Sequence, residues 1–147
     1  MTSDAVLDSS ALAKWVLPED DSDRVLQLAA DAAAAGGQLI VLDLALIEVT
    51  NAVWKRAYRK LITPLEGQKF VDDLTGLPVA IAESKPLLKS AYQLAVKYRI
   101  AVYDAIFVAL TIDLSQSGVT TDEPLVNAVK ADYPQIHLLR NWPPAVP

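Results

Sequence analysis

The 147-residue chain contains no cysteine and a single histidine, His137. The first absence excludes disulfides, thiolate-ligated zinc and thiol nucleophiles. The second excludes the usual multi-histidine zinc sites, and a Ser-His-Asp triad would have to rely on His137 alone. No apolar run reaches the roughly 20 residues of a membrane span. The opening "MTSDAVLD" has neither the basic region nor the long apolar region of a secretory signal. A cytoplasmic protein with no membrane association is therefore expected. Positive charge is also in deficit: 13 Lys and Arg stand against 18 Asp and Glu, a net charge of −5. On bulk charge alone, nucleic acid is a poor partner.

Hydrophobic residues make up 52% of the chain, enough for a substantial core at this length. Residues 1–147 are expected to form one domain. "DAVLD" (4–8) reads as a short buried strand, and "SSALAKWVL" as a helix that Ser9 or Ser10 can cap. "RVLQLAADAAAAGG" is a second helix, closed by its glycines. "QLIVLD", "PVAIA", "VTTD" and "IHLLR" read as further strands. Between them lie helical patterns: "LALIEVTNAVWKRAYRK", "TPLEGQKFVDDLTGL" with a Thr63–Glu66 capping box, "SKPLLKSAYQLAVKYR", a helix beginning near Asp104 after the extended "IAVY", and "EPLVNAVKADY". "NWPPAVP" is a proline-rich tail. Alternating strands and helices predict an α/β protein with a mainly parallel sheet covered on both faces.

In such sheets, sites lie beyond the carboxyl ends of the strands. Asp8 ends the first strand and Asp122 the "VTT" strand. Asp104 opens its helix, and Glu48 sits in the first turns of the helix after the second strand. Each has an ordinary structural role open to it. Asp8 and Asp104 are natural helix caps, Asp122 a turn or cap residue, and Glu48 a polar position on an exposed stripe. Taken together, four carboxylates from four segments can converge at one edge. Such a cluster is stable only if its pKa values rise or if cations neutralise it. Oxygen-preferring Mg²⁺ or Mn²⁺ suits this ligand set. One or two such ions in a carboxylate cage are the apparatus of phosphodiester hydrolysis.

The motifs "VLDSSALAKW", "ALIEVTNAVWK", "YDAIFVALT" and "VTTDEPL" occur in that order across nearly the whole chain. With them the sequence resembles the PIN-domain ribonucleases, and among these the VapC toxins of toxin–antitoxin systems. The resemblance implies a PIN-like three-layer α/β/α fold around a central, mainly parallel sheet of four to five strands. It implies that Asp8, Glu48, Asp104 and Asp122 are the catalytic, metal-binding quartet, with Mg²⁺ the cofactor and Mn²⁺ a substitute. Ser10, Thr120 and Asn51 correspond to the polar residues that support it. Leu125, Val126 and Asn127 stand where some relatives carry a further acid. The implied activity is endonucleolytic cleavage of transfer or ribosomal RNA, leaving 5′-phosphate and 3′-hydroxyl ends. The implied partners are a VapB-like antitoxin and a second copy of the chain.

Two features then offset the charge deficit. Two divalent ions would bring −5 to −1. "KRAYRK" also gathers Lys55, Arg56, Arg59 and Lys60 within six residues. Lys55, Arg56, Arg59 and Lys14 are the candidate RNA contacts, with Lys97 and Arg99 as further flanking cations. An ordinary solvated helix end is the competing reading of that cluster. His137 reads as structural, and Trp15, Trp54 and Trp142 as core or interface. Two other functions remain open: a receiver-like, Mg²⁺-binding phosphoacceptor domain, and an inactive PIN domain acting as a binding module. The receiver would need paired acids after the first strand, whereas Asp8 is followed by serines. A haloacid-dehalogenase-type phosphatase would need an aspartate where Ser10 stands.

Overall fold

The computed structural model describes residues 4–144. Residues 1–3, in the stretch compared with a signal sequence, and 145–147, the end of the proline-rich tail, lie outside the described residues. The strands are β1 (Ala5–Leu7), β2 (Leu39–Leu42), β3 (Val79–Ala82), β4 (Ser117–Thr120) and β5 (Ile136–Leu138). The helices are α1 (Ser9–Val16), α2 (Ser22–Ala34), α3 (Asp43–Tyr58), α4 (Pro64–Thr75), α5 (Leu88–Tyr98), α6 (Val102–Leu114) and α7 (Glu123–Val129). No helix among the described residues is long and apolar enough to cross a membrane.

All strand pairs are parallel, in the order β3-β2-β1-β4-β5. The chain walks outward from β1 to β3, then returns to the centre to lay β4 against β1. Parallel crossovers are right-handed, so this reversal puts α1–α4 on one face of the sheet and α5–α7 on the other. The result is the expected three-layer arrangement, with five strands. A receiver domain orders its strands 2-1-3-4-5 instead, so the topology removes that alternative.

The central strands β1 and β2 are buried along their whole length, whereas edge strand β3 is not. Val6, Val41 and Val119 are inaccessible to solvent, as parallel strands between two helical layers must be. Each such fully buried side chain contributes about 1.5–3 kcal/mol. Helix α6 is the central helix of its layer, with every residue from Ala105 to Thr111 buried. Gly118 in β4 lets it close on the sheet. A Cβ there would stand 2.7 Å from Thr111 Oγ1 and 2.9 Å from Phe107 Cζ.

Several element boundaries differ from the sequence reading. β4 runs from Ser117 to Thr120, and Asp122 lies beyond it as the N-cap of α7. Helix α6 starts at Val102 with Ala101 as N-cap, so Asp104 is an interior first-turn residue and not a cap. The "SKPLL" segment opens with a 3₁₀ turn before α5, and β5 gives way to a 3₁₀ turn at Leu139. The Thr63–Glu66 capping box is present. Trp15 and Trp142 pack on the core, but Trp54 is 56% exposed. His137 is half-buried in β5 with its ring edge-on to Trp142, and burial lowers its pKa.

Candidate active site

The strand order reverses between β1 and β4, and ligands in open parallel sheets bind at that switch point. Asp8 leaves β1 there, and its N–H donates to the Val119 carbonyl of β4 at 3.0 Å. Its Oδ1 accepts from the Ser9 N–H at 2.8 Å, which makes Asp8 the N-cap of α1. The expectation that Ser9 or Ser10 caps this helix is thereby corrected. The serines are already inside the helix, where only a residue one step earlier can reach the free N–H groups.

Relieved of capping, Ser10 joins a hydroxyl network. Its Oγ donates to Asp8 Oδ2 at 3.2 Å and lies 3.2 Å from Thr120 Oγ1. Thr120, fully buried, donates to the same Asp8 oxygen at 2.8 Å. The Thr121 N–H donates to Ser10 Oγ at 3.0 Å, and the Asp122 N–H to Thr120 Oγ1 at 3.1 Å. The two hydroxyls thus bolt the end of β1 to the end of β4. Asp122 Oδ1 accepts from the Leu125 N–H at 3.1 Å, so this acid too is both a cap and a member of the site.

Glu48 comes from α3, which packs beside α1. With Ser9, Ser10, Asn51 and Lys55 it lines a cleft of about 270 Å³. Asp104 enters from the first turn of α6. Burial is the main force raising the carboxyl pKa of Asp8, Glu48 and Asp104. Mutual repulsion adds to it: Asp8 acts on Glu48 and Asp104, and Asp122 acts on Asp8 and Asp104. Asp8 and Asp104 thus lie within electrostatic reach of both Glu48 and Asp122. The four acids do not stand as a closed cage, because no three acidic or histidine side chains among the described residues are set to hold an ion at once. Hard-oxygen donors that are desolvated and mutually repelling are nevertheless the chemistry a divalent cation relieves.

The polar residues picked from the sequence divide. Ser10 and Thr120 touch Asp8 directly. Asn51 lines the cleft with Glu48 but is exposed, with no hydrogen bond to it among the described residues. Of the cations, Lys55 lines the cleft, and Arg59 follows one helical turn later. Lys14 and Arg56 are instead tied to Glu19, the former at 3.1 Å. Lys97 pairs with Asp132 at 3.8 Å. Ser9, expected to help cap α1 and support the site, has a side chain that favours the charged form of Glu48. The sequence reading did not single out Glu19, whose contact with Arg56 spans 37 positions.

Comparison with known proteins agrees with this geometry. The PIN-domain family matches residues 5–130. Ribonuclease VapC3 of Pyrobaculum aerophilum is 33% identical over 128 residues, 86% of this chain and 95% of the relative. Three solved structures share the fold. PAE2754 from Pyrobaculum aerophilum has a TM-score of 0.72 at 20% identity, covering 96% of this chain and 93% of its own. A toxin–antitoxin complex from Klebsiella pneumoniae gives 0.64 at 16%, covering 92% and 97%. Mycobacterium tuberculosis VapC20, a sarcin-ricin-loop-cleaving toxin, gives 0.65 at 13%, covering 84% and 94%. With the family matched from β1 to α7 and a ribonuclease relative at this identity over most of both chains, this protein belongs to the PIN-domain family as a relative of the VapC ribonucleases.

Proposed function

We propose that this single-domain protein is a Mg²⁺-dependent endoribonuclease toxin that hydrolyses phosphodiester bonds in transfer or ribosomal RNA and stops translation until an antitoxin binds it. The observation that carries the reading is the convergence of Asp8, Glu48, Asp104 and Asp122, from four separate segments, on the switch point between β1 and β4. Kinship with Ribonuclease VapC3 supports it. The four acids would hold Mg²⁺, or Mn²⁺ in its place. When bound, the ion would acidify the attacking water and neutralise charge at the scissile phosphate.

The chain's own residues prepare that chemistry. Ser10 and Thr120 fix the Asp8 carboxylate by donating to one of its oxygens, and a carboxylate retains further acceptor capacity. The short β1–α1 and β4–α7 connections set Asp8 and Asp122 on rigid elements, where positioning errors are smallest. Lys55 supplies positive charge at the cleft wall. An inactive PIN module would have no need for acids held in such an unfavourable arrangement.

The toxin reading brings partners: a VapB-like antitoxin and a second copy of the chain. Exposed apolar side chains on α3 (Ile47, Trp54, Tyr58) and α5 (Leu88, Tyr92, Val96) are surface that such partners would cover. The experiment is cleavage of end-labelled transfer and ribosomal RNA, with Mg²⁺ and with EDTA, by wild type and Asp104→Asn. Cleavage that needs Mg²⁺ and is lost in the variant is expected. Cleavage that persists in EDTA would sink the metal-dependent reading.

A further inference from the structure

Two cations on the helices that carry Ser10 and Glu48 are engaged by one carboxylate. Glu19 Oε2 receives Lys14 Nζ at 3.1 Å, and Glu19 Oε1 receives an Arg56 guanidinium N–H. The three side chains are largely covered, with 18%, 30% and 28% exposure for Lys14, Arg56 and Glu19. They join three separate elements: α1, the loop before α2, and α3.

The placement follows from helix geometry. Lys14 is one turn beyond Ser10, whose hydroxyl donates to Asp8. Arg56 is two turns beyond Glu48. The triad therefore sits roughly 6 Å and 12 Å along the two helix axes from residues of the acidic site. Its charges do not cancel, since two cations share one anion. A guanidinium fork beside an ammonium is a donor set suited to a phosphate.

The loop that carries Glu19 does not depend on the triad for its shape. The Glu19 N–H donates to Ser22 Oγ at 3.0 Å, and Ser22 Oγ donates to the Leu17 carbonyl at 3.3 Å.

We propose that Lys14 and Arg56 form a docking site for a backbone phosphate of the RNA strand, and that Glu19 occupies it as a resident carboxylate which the phosphate displaces. This rests on the nuclease reading above and deepens it. The acids take the scissile group, and the triad takes a neighbouring phosphate of the same strand. Glu19 lowers affinity for any polyanion too weakly bound to displace it, so Glu19 is a positioning residue acting through the two cations.

The test is binding of a fluorescein-labelled single-stranded oligoribonucleotide, followed by anisotropy across a salt series in an Asp8→Asn background with Mg²⁺. Glu19→Gln is expected to tighten binding by about fivefold, the scale of one partly exposed ion pair. The slope of log K against log salt should stay nearly unchanged in Glu19→Gln, because the same phosphate is contacted, and should become shallower by about 0.7 on loss of Lys14 or Arg56, the value for one phosphate contact on a single strand. Asp20→Asn removes the same charge from the neighbouring exposed residue and is expected to do much less. Lys14→Gln and Arg56→Gln should each weaken binding. In the cleaving protein, Glu19→Gln should lower KM with kcat unchanged.

Equal effects of Glu19→Gln and Asp20→Asn overturn the proposal. So does an earlier melting transition in Glu19→Gln without tighter binding, which would make the triad a structural tether. Normal Mg²⁺-dependent cleavage with no triad effect rejects the docking site alone. Triad effects on binding in a protein that cleaves no RNA reject the nuclease reading and leave the docking site standing.

Discussion

Two aspartates leave the same edge of the same sheet and meet opposite fates. Asp8 follows β1 at the centre, and Asp43 follows β2 one strand away. Each accepts hydrogen bonds from its own helix N-terminus and from a hydroxyl. Asp43 takes the Ser84 hydroxyl and the Ser84 N–H at 3.2 Å, clasping the β2 end to the segment after β3. It stays exposed, and those bonds hold its pKa below the ordinary aspartate value. Asp8 is more deeply covered and faces other acids. Its hydrogen bonds fail to offset burial, and its pKa is raised. A strand-end carboxylate is therefore a structural clasp when donors and water satisfy it. It is a cation-seeking group when it is walled in with its own kind.

The largest expected effect contrasts the two directly. Asp8→Asn should lower kcat/KM for RNA by more than about 100-fold, the upper loss typical of residues that merely support metal ligands. Asp43→Asn should stay within a few-fold of wild type. Equal losses, measured by initial rates on the same RNA, would erase the distinction.

Next comes the bolt between β1 and β4. Thr120→Val keeps the shape but strips Asp8 Oδ2 and the Asp122 N–H of a partner. A loss of about 1–3 kcal/mol in urea unfolding is expected, with activity down by roughly 10- to 100-fold. Ser84→Ala, the counterpart at Asp43, should cost about 1 kcal/mol or less because its site is exposed. It should leave cleavage intact.

The smallest effect is one of pH. A carboxylate whose folded pKa is depressed contributes stability above its unfolded pKa and loses it as pH falls through the folded value. Asp43→Asn should therefore be less stable than wild type at neutral pH, by about 1 kcal/mol or less. The gap should close as pH drops below the unpaired aspartate value of 3.8. A gap that is constant down to acid pH would mean that the clasp does not depend on charge.

Much of this was legible in the chain. The strand–helix alternation, the capping box at Thr63, and Asp8, Glu48, Asp104 and Asp122 as acids in comparable places all follow from local patterns. What local patterns misassigned is also physical. Ser9 and Ser10 looked like caps because capping preference is a property of residue type, while position relative to the first free N–H decides who caps. Asp104 looked like a cap because "IAVY" is apolar and β-prone, yet the Asp104 and Ala105 N–H groups bond the Ala101 carbonyl, which starts the helix at Val102. Arg56 looked free because its partner, Glu19, is 37 positions away in sequence.

The sequence by itself determined the fold class, the candidate acids and the absence of thiol chemistry, since these depend on composition and on periodicities a few residues long. Tertiary structure alone decided that β4 returns to lie beside β1, that Asp8 and Asp122 share a buried hydroxyl bolt, and that Asp43 does not join them. Strand order and burial are set by contacts between segments dozens of residues apart, and it is burial that raises the Asp8 carboxyl above the ordinary aspartate value.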